Sequence, residues 1–341
     1  MKLITFAVPS YNSQDYLANC VESLLKAGDD CEIIIVNDGS KDKTAEIADE
    51  YANKYPDIVK VIHKENGGHG SGVNAGLKNA TGMYYKVVDS DDWLDGEAIK
   101  VFMEKLREHV KNDDYADLYI CNFVYDHVED QTTYVSHYRK KFPVDRFFTW
   151  KEIRPLRLWK MLLMHSLYYR TEALRATGVV LPEHTFYVDN IFAYQPLHGM
   201  KKLYYMDIDL YHYFIGRSDQ SVNIANVVKR YEQQIRVMDL MFKAHTYDEI
   251  RSMCRQERKL SYHILRNILM NTAFFTMAED SPQRRALLKK MWQDLKERDK
   301  KLYRKMKYRS TYALLNPMPW KMKGWVTTAS YKFLCKHVKL G

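Results

Sequence analysis

The stretch that decides the fold is residues 83–95, MYYKVVDSDDWLD, an apolar run that stops on a cluster of acids. Residues 83–88 read as a strand buried on both faces, because Tyr84, Tyr85, Val87 and Val88 suit a pleated, packed surface and leave only Lys86 polar. Asp89, Asp91 and Asp92 follow at once. Carboxylates this close raise one another's pKa and resist desolvation, so a sheet core that ends on them calls for a positive partner. A divalent cation answers that need. In an extended segment Asp89 and Asp91 point the same way, and an oxygen-only donor set suits Mg²⁺ or Mn²⁺ rather than zinc. The competing reading is a solvated turn before a helix whose N-terminus is capped by Asp92 or Asp95.

Upstream of this stretch, strand and helix patterns alternate. Residues 3–8 are an apolar run closed by Pro9, Tyr11 and Asn12, and residues 14–26 carry apolar side chains at helical spacing as far as Gly28. Residues 31–36 read as a second buried strand ending in Asn37-Asp38-Gly39-Ser40. A helix over 44–55, a third strand over 58–62 and a helix over 71–80 lead to the fourth strand, at 83–88. This order predicts an α/β fold with a largely parallel sheet and helices on both faces. Ligands in such sheets bind where the carboxyl ends of the strands meet the next loops, and the unusual loops at 9–13, 37–40, 66–72 and 89–92 all fall on that edge.

Downstream, a helix is expected over 97–108 and a strand over 116–124, with an irregular hairpin or loop over 125–150. Residues 154–164 are apolar and basic around Trp159. A short strand at 166–169 leads into a helix to 177, an apolar helix ends near 197, and a tyrosine-rich strand at 203–214 should lie near the site. From 227 to about 307 helical patterns dominate.

The chain has 341 residues, is 46% hydrophobic and carries a net charge of +9, which excludes a disordered protein. Its five cysteines are scattered, odd in number and never in a CxxC pair, which argues for a reducing compartment and against structural zinc. No signal peptide or run of membrane-spanning length is present, so a cytoplasmic protein is expected. The basicity is local: no acid follows Asp299, while eleven Lys and Arg do, leaving the first 299 residues at −2.

Asp38 follows a buried strand and precedes Gly39 and Ser40, so its carboxylate can face the cleft and accept the N3–H of uracil, or bond its own backbone in an Asx-turn. The loop Asn66-Gly67-Gly68-His69-Gly70-Ser71-Gly72 enters a helix, where its N–H groups can meet a diphosphate. Glycines between strand and helix also describe a dinucleotide-binding unit, but the spacing differs from G-x-G-x-x-G and the later acid is a cluster. His69 reads as an exposed loop histidine.

Together VPSYN at 8–12, NDGS at 37–40, ENGGHGSGVNAGL at 65–77 and DSDDW at 89–93 closely resemble the family 2 glycosyltransferases of the GT-A, Rossmann-like fold, over roughly the first 220 residues. The resemblance implies an inverting transferase that uses a nucleotide-sugar, most often a UDP-sugar, with Mn²⁺ or Mg²⁺. By match, Asp38 binds the base, and Asp89 and Asp91 form the DxD pair that holds ribose and metal, with Asp92 able to share that role. Pro9, Tyr11, Asn12, Asn66, Gly67, Gly68, Asn74 and Ser90 are the other motif positions implied to meet the nucleotide-sugar. Val73 departs from the family, many of whose members have arginine before the asparagine. The family's catalytic acid sits in a Glu-Asp dipeptide at a helix start; here the stretch is Phe186-Tyr187-Val188-Asp189, which makes Asp189 the candidate base, with a helix cap as its alternative role. His212 and Arg217 fall where similar enzymes close the site, and imply a further metal ligand and a phosphate clamp.

The tail interleaves Trp320, Trp325, Tyr331 and Phe333 with Lys321, Lys323, Lys332, Lys336 and Lys339, which fits a helix in the headgroup layer of an anionic membrane. A docked C-terminal helix with a solvated basic face is the alternative. No nucleic-acid module accompanies the charge. The expected organisation is a GT-A domain over 1–222, an appended C-terminal helical module over 223–310 and a membrane-association tail over 311–341. The expected activity is transfer of a hexose from a UDP-sugar to a lipid or lipid-linked acceptor at the inner face of the cell membrane. The alternatives are a non-catalytic nucleotide-sugar-binding protein that keeps the fold, or a dinucleotide-dependent oxidoreductase.

Overall fold

A computed structural model describes residues 2–127, 131–158, 160–215 and 224–338. Trp159, Arg217 and Lys339 fall outside the described residues. The chain divides into two compact units, Met1–Arg154 with Leu162–Phe214, and Pro155–Met161 with Ile215–Gly341.

The first unit is built on a ten-stranded sheet. Its early part follows the strand–helix alternation: β1 (Ile4–Ser10), α1 (Leu17–Leu25), β2 (Cys31–Asp38), α2 (Thr44–Lys54), β3 (Val59–Lys64), α3 (His69–Asn79) and β4 (Tyr84–Val87). β1 and β2 are buried at every position because helices cover both faces, which is why they read as unbroken apolar runs. Then come β5 (Trp93–Leu94), α4 (Gly96–Lys111), β6 (Leu118–His127), β7 (Thr132–Ser136), β8 (Phe147–Phe148), β9 (Leu167–Arg170), α5 (Thr171–Ala176), α6 (Asp189–Tyr194) and β10 (Leu203–Ile215).

The strand order is β3-β2-β1-β4-β9-β6-β10-β5, with β7 on β6 and β8 on β10. Only the first four strands are parallel; β9 runs antiparallel to both β4 and β6. The expectation of a largely parallel sheet is corrected here. A parallel return needs a crossover, usually a helix, and the described residues between β6 and β9 hold no α-helix, so the chain comes back antiparallel. The segment expected to be an irregular hairpin is one in part: β7 pairs with β6 from Phe123↔Ser136 to His127↔Thr132.

The second unit is helical: α7 (Ile224–Lys229), α8 (Tyr231–Ala244), α9 (Tyr247–Ser252), α10 (Arg255–Met277), α11 (Pro282–Arg298), α12 (Lys300–Tyr308) and α13 (Trp320–Val338). Nothing in the sequence marked Pro155–Met161 as part of it. Side chains of α10 hold that segment, His263 meeting the Lys160 carbonyl at 2.8 Å and Asn267 donating to the Leu158 carbonyl at 2.8 Å. α13 docks on α10 through a close backbone approach: a Cβ on Gly324 would lie 2.4 Å from the Met277 carbonyl oxygen, and Tyr331 stacks on Phe274 at 4.1 Å. No helix among the described residues is long and apolar enough to cross a membrane.

Candidate active site

Sheet register assembles the edge expected to bind ligand. Parallel pairing sets Ser10 opposite Asn37 and Asp38 opposite Lys64, so the ends of β1, β2 and β3 align. Asp38 is 3% exposed, and its carboxylate accepts from Lys64 Nζ at 2.7 Å, Gly67 N at 2.9 Å and Gly68 N at 2.7 Å. It makes no Asx-turn; that bond belongs to Asn37, whose Oδ1 accepts from Ser40 N at 3.1 Å. Asn66 Nδ2 donates to the Asp38 carbonyl at 2.9 Å. Asp38 therefore shapes the glycine loop from below. Gly68 caps α3 at φ +83°, a conformation that costs a side-chain-bearing residue, and no side chain caps the helix N-terminus.

The first loop is fastened to its neighbours. β1 runs through Pro9 to Ser10, and α3 lies so near that a Cβ on Gly72 would meet the Pro9 ring carbon at 2.9 Å. Tyr11 is 50% exposed. Asn12 adopts φ +48°, accepts from Lys41 N at 2.9 Å and donates its own N–H to Ser40 at 3.0 Å. The Ser13 and Ser90 hydroxyls, 2.7 Å apart, join this loop to the acids.

Asp89, Asp91 and Asp92 have separate environments. Asp92 is fully buried, accepts from the Tyr211 hydroxyl and, at 2.9 Å, from Phe214 N. Burial, and then the charges of Asp91 and Asp89, hold its carboxyl well above the usual range. Asp89 meets His69 Nε2 at 2.8 Å. Burial opposes its ionisation, but the charge and hydrogen bond of His69, with Lys86 after it, outweigh burial and lower its pKa. His69 is thus not an exposed loop histidine: α3 begins at this residue, two positions earlier than the pattern suggested, and aims it at the acids. Burial pulls its pKa down, yet Asp89 first and Asp189 and Asp91 after it raise it overall. Asp95, not Asp92, is the helix cap, accepting from Glu97 N at 3.0 Å and Ala98 N at 2.8 Å.

One oxygen each from Asp89 and Asp92 and one ring nitrogen of His165 lie within 4.8 Å of one another. His165 stands out because Nδ1 is buried with no hydrogen-bond partner, between the rings of Tyr211 at 4.7 Å and Tyr213 at 4.6 Å. Burial pushes its pKa down to about 4, so it is a neutral imidazole near pH 7, the form that ligates metals. Lys86, the lone polar residue of the opening strand, fixes the turn that carries it. Its buried Nζ donates to the Met164 carbonyl at 2.8 Å and the His165 carbonyl at 2.6 Å, and burial pulls its pKa down to about 7. The donor set is two carboxylates and an imidazole with an orphaned nitrogen, and it fits a divalent cation.

The loop before α6 closes over α3. Asn74 and Leu181 bond reciprocally, Nδ2 to carbonyl at 2.8 Å and N to Oδ1 at 2.9 Å, and His184 N donates to the Gly67 carbonyl at 2.6 Å. His184 and Tyr187 sit at φ +48° and +65°, strained backbone of the kind that gathers at functional sites. Asp189 is half-buried at the first turn of α6, where Val188 is the cap residue and no side chain caps, so the cap role does not apply. Burial pushes its pKa up to about 6, with His69 opposing and Asp89 reinforcing, which puts it in electrostatic reach of the His69–Asp89 pair.

His212 is a correction. β10 alternates, so Tyr211 and Tyr213 face the acids while His212 stacks on Trp93 at 5.2 Å and meets Asp126 at 3.1 Å. It is not among the converging ligand atoms; His165 is, and sequence reasoning missed it because β9 brings it there through topology without a local motif.

Residues 5–171 match the family model described as glycosyl transferase family 2. EpsH of Bacillus subtilis (strain 168) is 29% identical over 238 residues, 68% of this chain and 64% of its own length, so the chain spans less than two-thirds of that relative. The solved structure of S. aureus TarS 1-349 in complex with UDP-GlcNAc matches 86% of this chain and 80% of its own at a TM-score of 0.61 and 22% identity. The mannosyltransferase PcManGT of Pyrobaculum calidifontis, solved with GDP-Man and Mn²⁺, matches 95% of this chain and 86% of its own at a TM-score of 0.51 and 16% identity.

Proposed function

Because the chain belongs to the family 2 glycosyltransferases and has their GT-A fold, we propose that it is an inverting transferase moving a hexose from a UDP-sugar to a lipid or lipid-linked acceptor. The observation that carries the reading is the carboxyl of Asp189. Burial pushes it up to about 6, within electrostatic reach of His69 and of Asp89 after the fourth strand. A general base is most effective with a pKa near ambient pH. Asp189 takes the proton of the acceptor hydroxyl as that oxygen bonds to the anomeric carbon and the bond from that carbon to UDP breaks. Its alternative role as a cap is lost, and the loop that carries it is tied to the glycine loop.

Asp38 and the N–H groups of Gly67 and Gly68 form the base end of the donor site, with Asp38 exchanging one loop contact for the uracil N3–H. Asp89, Asp92 and His165 hold a divalent cation, and Asp91 completes the acidic motif beside them. When bound, the cation neutralises the charge that develops on the departing diphosphate. The UDP-GlcNAc held by TarS and the Mn²⁺ held by PcManGT support these assignments of donor and metal class. The test is UDP release from a panel of UDP-sugars, with and without Mn²⁺. Release stimulated by Mn²⁺ is expected. Binding of UDP without turnover of any sugar in the panel would leave a non-catalytic binding protein.

The tail supports an acceptor at the inner face of the membrane. On α13, Met322, Trp325 and Phe333 share one helical face opposite Gly324 and Tyr331, and are 49%, 73% and 59% exposed. Lys321, Lys323 and Lys332 flank them. An apolar stripe between lysines matches the headgroup layer of an anionic bilayer. Trp325→Ser/Phe333→Ser should reduce flotation with phosphatidylglycerol vesicles several-fold; flotation equal to wild type sinks the membrane assignment.

A further inference from the structure

The helical unit contains a second charged site, unrelated to the acids of the sheet edge. Two cavities, of about 220 and 170 Å³, lie side by side where α9, α10 and α12 meet, and share Lys259, Tyr262 and Lys305 in their walls. Arg251, Arg255 and Arg258 join Tyr247 in the wall of the larger, and Arg266 and Arg309 join Met306 and Ser310 in that of the smaller. Among the described residues no carboxylate lines either one. Of the nearby acids, Asp248 pairs with Lys301, Glu249 closes a capping box with Thr246, Asp299 accepts from Leu302 N and Tyr247 N, and Glu257 is buried on α10 outside both walls.

We infer that this basic pair of cavities binds a phosphate ester, either a free sugar or polyol phosphate or a lipid headgroup. Guanidinium forks and ammonium groups converging without acids form the donor set that phosphate oxygens require. Each cavity is smaller than the ~300–1,000 Å³ of a site for a drug-sized ligand, and suits a compact anion. Two observations show that the site is built rather than accidental. Tyr262 is only 9% exposed and lines both cavities, yet its hydroxyl is buried with no hydrogen-bond partner, an orphaned donor that a phosphate oxygen satisfies. Lys305 lies 5.0 Å from the same ring, and burial, followed by the charges of Arg266, Arg309, Arg251 and Arg258, lowers its pKa. A bound anion relieves that repulsion. Arg258 and Arg266 are held in place by bonds to the Arg251 carbonyl at 3.1 Å and the Tyr262 carbonyl at 3.0 Å, so part of the donor set is preorganised.

This assignment does not depend on transfer activity, because binding is read without turnover. The full chain is titrated at 0.15 M salt with inorganic phosphate, with glycerol 3-phosphate and with phosphatidylglycerol vesicles. Lys259→Gln/Lys305→Gln should weaken binding at least about 10-fold, given 1.5–3 kcal/mol for a hydrogen bond to a charged group. Lys289→Gln/Lys290→Gln, which removes equal charge from the exposed surface of α11, should leave it unchanged. Soluble esters binding as tightly as vesicles support a free ligand, and vesicle binding that Lys259→Gln/Lys305→Gln weakens, without binding of soluble esters, supports a headgroup. On the wild-type chain, phosphate should slow acetylation of Lys259 and Lys305 but not of Lys289, a readout that stands even if the double variant fails to fold. No saturable binding of any probe, equal affinity in the two double variants, or acetylation unaffected by phosphate overturns the proposal.

Discussion

Asp189→Asn should lower sugar transfer by about 10²–10⁴-fold, the usual contribution of a general base, leave UDP affinity unchanged, and raise the melting temperature at pH 7.5. The last outcome follows from the same burial that tunes the base. A carboxyl raised to about 6 in the folded state favours folding in its protonated form. That contribution is fully present below the unfolded value near 3.8 and is lost as pH rises through 6, so at pH 7.5 the fold carries an ionised, poorly solvated carboxylate. Asparagine removes this burden. The gain is at most about 3 kcal/mol at pH 7.5, from 1.36 kcal/mol per pKa unit, and disappears below about pH 4. The wild-type rate should fall below pH 6 as the base is protonated. A variant that keeps transfer ends the base assignment; one that loses transfer and stability together points to a structural role.

β1, β2 and β4 were legible because a strand covered on both faces shows as a nearly continuous apolar run, and a polar, Asn-, Asp- or Gly-bearing loop follows each of the first four strands. Their parallel pairing follows from the helices between them. The rest of the sheet was not legible for the same physical reason in reverse. β9 and β6 are tyrosine-rich, with Tyr119, Tyr168 and Tyr169 fully buried, and no local feature says whether such strands pair parallel or antiparallel. The missing crossover helix decides it, and that is a property of the whole segment.

The site divides in the same way. The residues on the motif loops could be named from sequence, but their partners lie at long range. Asp38 could be named as a group at the ligand edge, but nothing local showed that its carboxylate also gathers the loop that follows β3. Asn74 looked like a ligand contact and clamps Leu181. His69, set aside as a surface residue, pairs with Asp89 because α3 starts earlier than its apolar spacing suggests; glycine and serine in its first turn hid the start. Lys86 was read as the one polar flaw in a buried strand, and it turned out to position the turn that carries His165.

Asp89→Asn should lower UDP-sugar turnover by about 10²–10³-fold at limiting Mn²⁺, with partial recovery as the metal is raised, since losing one charged ligand weakens a cation that supplies several kcal/mol to the transition state. Three effects converge at this residue. One of the converging oxygens becomes a neutral amide, the His69 imidazole loses the charge that chiefly raises its pKa, and Asp92 loses one of the two like charges that, after burial, raise its own. The first weakens metal binding. The third works against it, because Asp92 becomes easier to ionise and the ionised carboxylate is the form that ligates a metal. Proton release on Mn²⁺ binding should therefore be smaller in the variant than in wild type, a difference calorimetry in buffers of unlike ionisation enthalpy can read. His69 gives an independent check: its NMR titration midpoint should move down, since burial alone lowers it and Asp89 is the leading opposing charge. Unchanged Mn²⁺ dependence together with a shifted His69 midpoint would show that Asp89 serves the histidine and that the cation is held elsewhere.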